Sequence, residues 1–163
     1  TCTPSDWCRE HCFALRGRFA LRVVQDSLKW RYRQTLGCRF APRMIEEVQR
    51  RKLQYVSIHI SGDFYSREYV EKWARIAQAL PEIIFRTNTR RQDLIRYMKR
   101  RFPSNVMVRE SFDMTRRPTG LFPLSAVPGT PGAESFFPCI DDCAKCGFTC
   151  WREPVNVRSF KVR

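Results

Sequence analysis

Residues 53–113 alternate strand and helix patterns, and this alternation restricts the fold more than any other feature of the chain. Val56, Ile58 and Ile60 fall on one side of an extended segment over residues 55–61, with Ser57, His59 and Ser61 on the other, the period-2 pattern of a half-buried strand. Gly62-Asp63 breaks that strand. Ser66 is placed to cap a helix running to Leu80, with Tyr69, Val70, Trp73, Ile76, Ala77 and Leu80 as its apolar stripe. Pro81 stops it. Residues 83–89 form a second strand, Ile83 and Phe85 opposing Ile84, Arg86 and Asn88. A second helix covers 92–102. A third strand covers 105–112, with Val106 and Val108 opposing Met107, Arg109 and Ser111. Helix-length connections between successive strands imply a parallel sheet with right-handed crossovers.

Parallel strands are normally apolar on both faces. Here one face carries Ser57, His59, Ser61, Arg86, Asn88, Arg109 and Ser111. A closed or partial barrel accounts for this: the apolar faces pack on outer helices, and the polar faces line an interior site at the carboxyl ends of the strands. The alternative is an antiparallel sheet with one wet face, which the long connections disfavour. For His59, a satisfied interior histidine is the preferred reading over a catalytic one.

Residues 1–52 read as helical, with candidate helices over 6–15, 18–36 and 42–52 broken at Gly17 and Gly37, and Pro42 suits a first turn. After a Pro- and Gly-rich stretch come a short strand at 125–127, an irregular turn from Pro128 to Gly132, a cysteine cluster and a terminal strand over 155–162. The expected fold class is α/β: a partial (βα) barrel-like parallel sheet with an amino-terminal helical Cys-rich segment and a carboxy-terminal Cys-cluster extension. The expected division is 1–127 for the barrel and 128–163 for the extension, packed on the same domain.

Eight cysteines in 163 residues fall into two sets and one singleton. Cys2, Cys8 and Cys12 are spaced C-x5-C-x3-C; Cys38 stands alone; Cys139, Cys143, Cys146 and Cys150 are spaced C-x3-C-x2-C-x3-C. Disulfides gain little from such short loops and need an oxidising compartment. Structural zinc usually draws on two knuckles a dozen or more residues apart. Four thiolates within twelve residues more resemble iron–sulfur ligation, with zinc as the alternative for this carboxy-terminal set. The three amino-terminal thiolates suit a cluster with one iron left open to substrate or cofactor. Cys38 is read as a buried free thiol, with a fourth-ligand role as the alternative.

Hydrophobic residues at 43% and aromatics at 13% exclude a disordered chain, and no apolar run reaches the roughly 20 residues of a membrane span. The net charge is +14, concentrated in residues 1–55 and 86–117 and in clusters such as Arg50-Arg51-Lys52, Arg90-Arg91, Lys99-Arg100-Arg101 and Arg116-Arg117. Either a polyanion partner or a solvated basic surface explains it; no nucleic-acid recognition motif accompanies it.

The order of these segments resembles the radical S-adenosylmethionine (SAM) superfamily: three cysteines near the amino end, then residues 56–64 (VSIHISGDF), a helix, residues 84–89 (IFRTNT) and residues 108–113 (VRESFD). The resemblance spans roughly residues 2–113, and many members add an auxiliary Cys-ligated cluster, as at 139–150. The cysteine spacing differs from the superfamily's C-x3-C-x2-C, the Gly-Gly-Glu slot reads Gly62-Asp63-Phe64, and the barrel is short by at least two strands. The chain is also similar to a family of uncharacterised phage-encoded proteins that pair a cysteine-rich amino end, here ending Cys12-Phe13-Ala14, with a Ser61-to-Ser66 segment SGDFYS and a terminal cysteine cluster followed by Trp, here Cys150-Trp151.

These resemblances imply two 4Fe–4S clusters, one at Cys2, Cys8 and Cys12 and one at Cys139, Cys143, Cys146 and Cys150, in a phage-encoded protein of a reducing host cytoplasm. They imply S-adenosylmethionine as a further cofactor, an external reductant, and a radical-type reaction on an anionic substrate such as a nucleotide or nucleic acid. Gly62 would let backbone approach the methionyl group and Asp63 would accept its ammonium; Arg109 or Arg86 would pair with a carboxylate or an anionic substrate; Asn88 and Ser111 would bind the ribose. The rival reading is a non-enzymatic iron–sulfur or zinc protein that binds nucleic acid through its Arg-rich faces; an electron carrier is a third.

Overall fold

Three parallel strands, β1 (Tyr55–Ser57), β2 (Ile84–Thr89) and β3 (Val106–Ser111), form the centre of the computed structural model, which describes residues 1–158 of the chain. β4 (Leu124–Ala126), β5 (Phe137–Pro138) and β6 (Val157–Arg158) extend them into one sheet of order β1-β2-β3-β4-β6-β5, every neighbouring pair parallel. The sheet curls into a half-barrel, so the fold is α/β and partly barrel-like.

The crossovers explain the parallel pairing. α4 (Arg67–Ala79) joins β1 to β2; Ser66 accepts from the Tyr69 N–H at 3.2 Å and supplies its N-cap. α5 (Gln92–Arg101) joins β2 to β3 and ends in Lys99, Arg100 and Arg101, cations that suit a helix carboxyl end. The Asn105 amide faces the carbonyls of Ala77, Leu80 and Ile83, each at 3.0 Å, and ties the end of α4 to the start of β3.

The outer face of the sheet is the core. Val56, Phe85, Val106 and Val108 pack against Val48 of α3 (Phe40–Arg50), Val70, Trp73 and Ala77 of α4, and Leu94 and Met98 of α5. A smaller cluster of Ala126, Ala133 and Phe136, with Phe112 and Leu124, sits under the far strands. α2 (Arg22–Leu36) lies outside both; the Lys72 ammonium binds the carbonyls of Thr35, Leu36 and Gly37 at its carboxyl end.

Several boundaries differ from the sequence expectation. The amino-terminal helix is only α1 (Asp6–Glu10), followed by two short 3₁₀ turns over Phe13–Leu15 and Gly17–Ala20, because Cys12 and Arg16 are extended and Gly17 takes a left-handed φ of +54°. The first strand stops at Ser57 rather than Ser61. One more ladder bond, from the Ile58 N–H to the Arg86 carbonyl, is made before the chain turns away. Leaving the pleat undoes the alternation: Ile60 is exposed, and His59 turns to the helix side, its ring against Phe64 and Tyr69 and its Nδ1 3.2 Å from the Thr87 hydroxyl. β5 was not expected at all. The expected terminal strand over 155–162 is present as β6, and its residues from 159 onward lie outside the described residues. No helix among the described residues is long and apolar enough to cross a membrane.

Candidate metal centre

The amino-terminal segment folds over the carboxyl ends of β1, β2 and β3. Ser5 caps α1 by accepting from the Cys8 N–H at 3.1 Å, and its hydroxyl donates to Asp113 at 2.5 Å, just past the end of β3. The Thr1 hydroxyl accepts from the Asp63 N–H at 3.2 Å, past the end of β1, and the Trp7 indole donates to Thr130. These anchors bring Cys2, Cys8 and Cys12 together. The Gly62 backbone hydrogen-bonds the Cys2 sulfur, and Cys8 feels the charges of Cys12, Arg90, Asp113 and Asp63. Burial pushes the Cys2 and Cys8 thiols up, and Arg90 pulls Cys8 back down.

Two buried aspartates hold this platform. Asp63 accepts from the Phe64 N–H, the Thr89 hydroxyl and the Arg90 N–H, each at 2.7 Å, so it ties the Gly62 turn to the end of β2. Burial nevertheless pushes its carboxyl up. Asp113 pairs with Arg90 at 2.6 Å and also accepts from Ser5 and Thr115. Burial raises the Asp113 carboxyl, but these hydrogen bonds outweigh it and hold the group at about 2. Arg90, 9% exposed, keeps its Nε–H buried without a partner among the described residues. In the sequence it reads as part of a surface Arg-Arg pair; the signal for its burial is its place two residues after Asn88, in step with Arg86 and Asn88.

Gly62 has a φ of +91°, and a Cβ there would meet the Thr1 hydroxyl oxygen at 2.7 Å. Gly62→Ala should therefore cost about 1–3 kcal/mol and displace the Thr1–Cys2 backbone. Chemical denaturation together with the alkylation rate of Cys2 checks this; unchanged values in both would refute the tight approach.

Of the carboxy-terminal set, Cys150 lies on the concave face beside Arg86. The short helix α6 (Thr149–Arg152) and Phe148 cover it: Phe148 stacks on Tyr55 with ring centres 3.9 Å apart, and Trp151 meets Tyr55 edge-on and lies under the Arg86 guanidinium. Cys150 is buried and accepts from Arg86 Nη1 at 2.8 Å. The Cys146 thiol lies 3.4 Å from the Cys143 carbonyl, and Cys139 lies 3.7 Å from an Asp141 carboxylate oxygen. Arg109 sends Nε and Nη2 to the carbonyls of Val155 and Glu153. Arg86 and Arg109 thus face the extension, while Asn88 and Ser111 stand higher on the same side; the Asn88 Oδ1 is buried without a partner among the described residues.

All eight cysteines are free thiols, and Cys38 is exposed rather than buried as the sequence suggested, because it sits in the open turn between α2 and α3. Among the described residues no three His, Cys, Asp or Glu side chains converge on one point. At the amino end Cys2 feels the charge of Cys8, and Cys8 that of Cys12. Their thiol chemistry and the buried Arg90 Nε–H, without a partner among the described residues, suit a negatively charged ligand. At the other end, Cys150 meets Arg86. β2 touches both, through Arg86 at Cys150 and Arg90 at Cys8, about 13 Å apart at 3.3 Å per residue.

A family model described as "Gene product 88" matches residues 1–121. The matched span takes in Cys2, Cys8, Cys12 and strands β1 to β3 and stops before β4. No curated protein and no solved structure matches the chain.

Proposed function

The chain belongs to the gene product 88 family, and on that premise we propose that it is an iron–sulfur protein with a 4Fe–4S centre at Cys2, Cys8 and Cys12 and a second at Cys139, Cys143, Cys146 and Cys150. In this reading it is a radical SAM-like enzyme of a phage, working in the reducing cytoplasm of its host on an anionic substrate, with an external reductant. The observation that carries the reading is the docking of three thiols over the carboxyl ends of parallel strands, fixed by the Ser5–Asp113 and Thr1–Asp63 contacts. That is where side chains of such a sheet meet a ligand.

A cluster held by three thiolates supplies an open iron and a low-potential electron. The chain's own residues bind and orient around it. Gly62 lets the Thr1–Cys2 segment approach closely, Asn88 Oδ1 is an acceptor for a hydroxyl or amino hydrogen, and Arg90 Nε offers a hydrogen bond to an anion. Asp63 has three internal donors and acts first as a tether. Arg109 and Arg86 serve the carboxy-terminal centre rather than the first ligand.

Anaerobically isolated protein should be brown and hold about eight irons per chain, two cubanes' worth. Cys8→Ala should lose about half of them. Colourless protein with stoichiometric zinc would overturn the iron assignment and leave structural zinc. Reduced protein that never cleaves S-adenosylmethionine would remove the enzymatic part alone.

A second reading, nucleic-acid binding, draws support from a surface pocket of about 420 Å³ lined by Arg96, Lys99, Arg100, Thr119 and Leu121. None of these three cations pairs with a carboxylate among the described residues, whereas neighbouring Arg101 is paired with Glu71. Binding through them should weaken steeply with salt, and an Arg96→Ala, Lys99→Ala, Arg100→Ala triple variant should flatten that slope. A slope identical to the parent's would exclude this surface.

A further inference from the structure

Arg96, Lys99 and Arg100 stand three and four residues apart on α5 and line the pocket of about 420 Å³ together with Thr119 and Leu121. Like charges at that helical spacing repel one another. The helix dipole favours cations in the last turn, which accounts for Lys99 and Arg100 but not for Arg96, one turn earlier. An anion in the pocket turns this repulsion into attraction. The opposite wall is preformed. Glu110, 2% exposed near the end of β3, accepts from the Thr119 N–H at 2.9 Å, the Thr119 hydroxyl at 2.8 Å and the Gln92 amide at 2.8 Å. The same Gln92 amide donates to the Arg117 carbonyl at 2.8 Å. This buried carboxylate therefore clamps residues 117–119 to the first turn of α5 and fixes the width of the pocket.

A second concavity, of about 490 Å³, shares Lys99 and Leu121 with the first, and Phe122, Pro123 and Met107 place apolar side chains in its wall. The Lys99 ammonium lies over the Phe122 ring, 5.4 Å from its centre. A ligand that fills both halves carries an anion on one side and a planar apolar group on the other. A duplex offers phosphates but keeps its base faces stacked on one another, and a membrane is too broad to enter a recess. A single strand offers phosphate and free base face together.

We infer that the joined recess seats single-stranded nucleic acid: Arg96, Lys99 and Arg100 hold phosphate, and the adjoining base lies against Leu121 and Phe122. The inference rests on the nucleic-acid reading above and gives it a strand type. Lys99 exchanges the Phe122 ring for phosphate, which frees the ring face for the base.

The test is fluorescence anisotropy on the full chain with a labelled DNA single strand of about 12 nucleotides, its duplex, and vesicles of anionic phospholipid. The single strand should bind at least tenfold more tightly than the duplex, although the duplex has the higher charge density. Leu121→Ser, at a position 36% exposed, should weaken single-strand binding about tenfold, the worth of one stacked base, and leave the salt slope unchanged. The Arg96→Ala, Lys99→Ala, Arg100→Ala triple variant should lower that slope by about two, at about 0.7 per cation. Duplex binding as tight as the single strand's, or a Leu121→Ser affinity within twofold of the parent's, would overturn the inference and leave a phosphate-only nucleic-acid contact. Vesicles bound in preference to the strand would overturn it in favour of lipid. A triple variant with the parent's slope would remove the nucleic-acid reading, and the inference with it. The strand-to-duplex ratio needs no variant, so a variant that does not fold leaves the test standing.

Discussion

Asp113→Asn should lower the stability of the fold by about 3–5 kcal/mol and release the amino-terminal cysteine segment. Asparagine keeps the shape and can still accept from Ser5 and Thr115, but it cannot neutralise Arg90, which is buried with it at 2.6 Å. Removing one partner of a buried pair leaves the other charge stranded. Denaturant unfolding reads the stability, and the alkylation rate of Cys8 reads the release. A loss below about 1 kcal/mol with unchanged alkylation would show that the aspartate does not pin the segment. The same group sets an acid limit. Its folded value of about 2 is below the ordinary 3.8, so its stabilisation, about 2 kcal/mol, is complete above pH 4 and is lost as pH falls from about 4 to 2. His59 acts earlier. Packing against Phe64 and Tyr69 strips water from its ring and lowers it to about 4 from 6.5. The unfolded chain therefore binds a proton that the folded one refuses, and stability falls as pH drops from about 6.5 to 4. His59→Gln should flatten the first of these two stages and leave the second.

The other large effect is expected from Phe64→Ala, at about 3–5 kcal/mol. Phe64 is fully buried, and its ring meets those of His59, Tyr69 and Phe102. Its N–H binds Asp63, and its carbonyl accepts from Arg91 Nη1 at 2.8 Å. The side chain thus locks the Gly62-Asp63 turn to the core while its backbone faces the cysteine platform. Stability and iron retention should fall together, because the cavity sits directly beneath the turn that meets Cys2. Phe64→Leu should recover most of both. A large stability loss with full iron retention would separate the turn from the centre.

Much of this architecture can be read from residue pattern. Apolar period-2 and period-3.6 runs between 55 and 112 give three parallel strands with two helical crossovers, and Ser66 marks a helix start by its chemistry. The polar side of β2 and β3 is legible too: Asn88 and Arg109 are register partners, as alternation requires. What those side chains meet is not legible. Arg86 reaches Cys150, 64 positions away, and no local pattern encodes that. His59 escapes because alternation ceases to apply once the chain leaves the pleat after Ser57. β5 is two residues long and contains Pro138, too little for any periodicity to show. Arg90 hides inside a basic run whose average character is that of surface.

The strand order has a temporal side. β6 lies between β4 and β5, so β5 has no neighbour until residues 157 and 158 have been synthesised and inserted. The loop bearing Cys139 through Cys150 hangs between those two latecomers. Cys150, and the Arg86 guanidinium it meets, are flanked by that loop and by the strand that follows it. The surroundings of Cys150 are therefore completed only when β6 slides between β4 and β5, which ties the burial of this thiol to the closing step of sheet assembly.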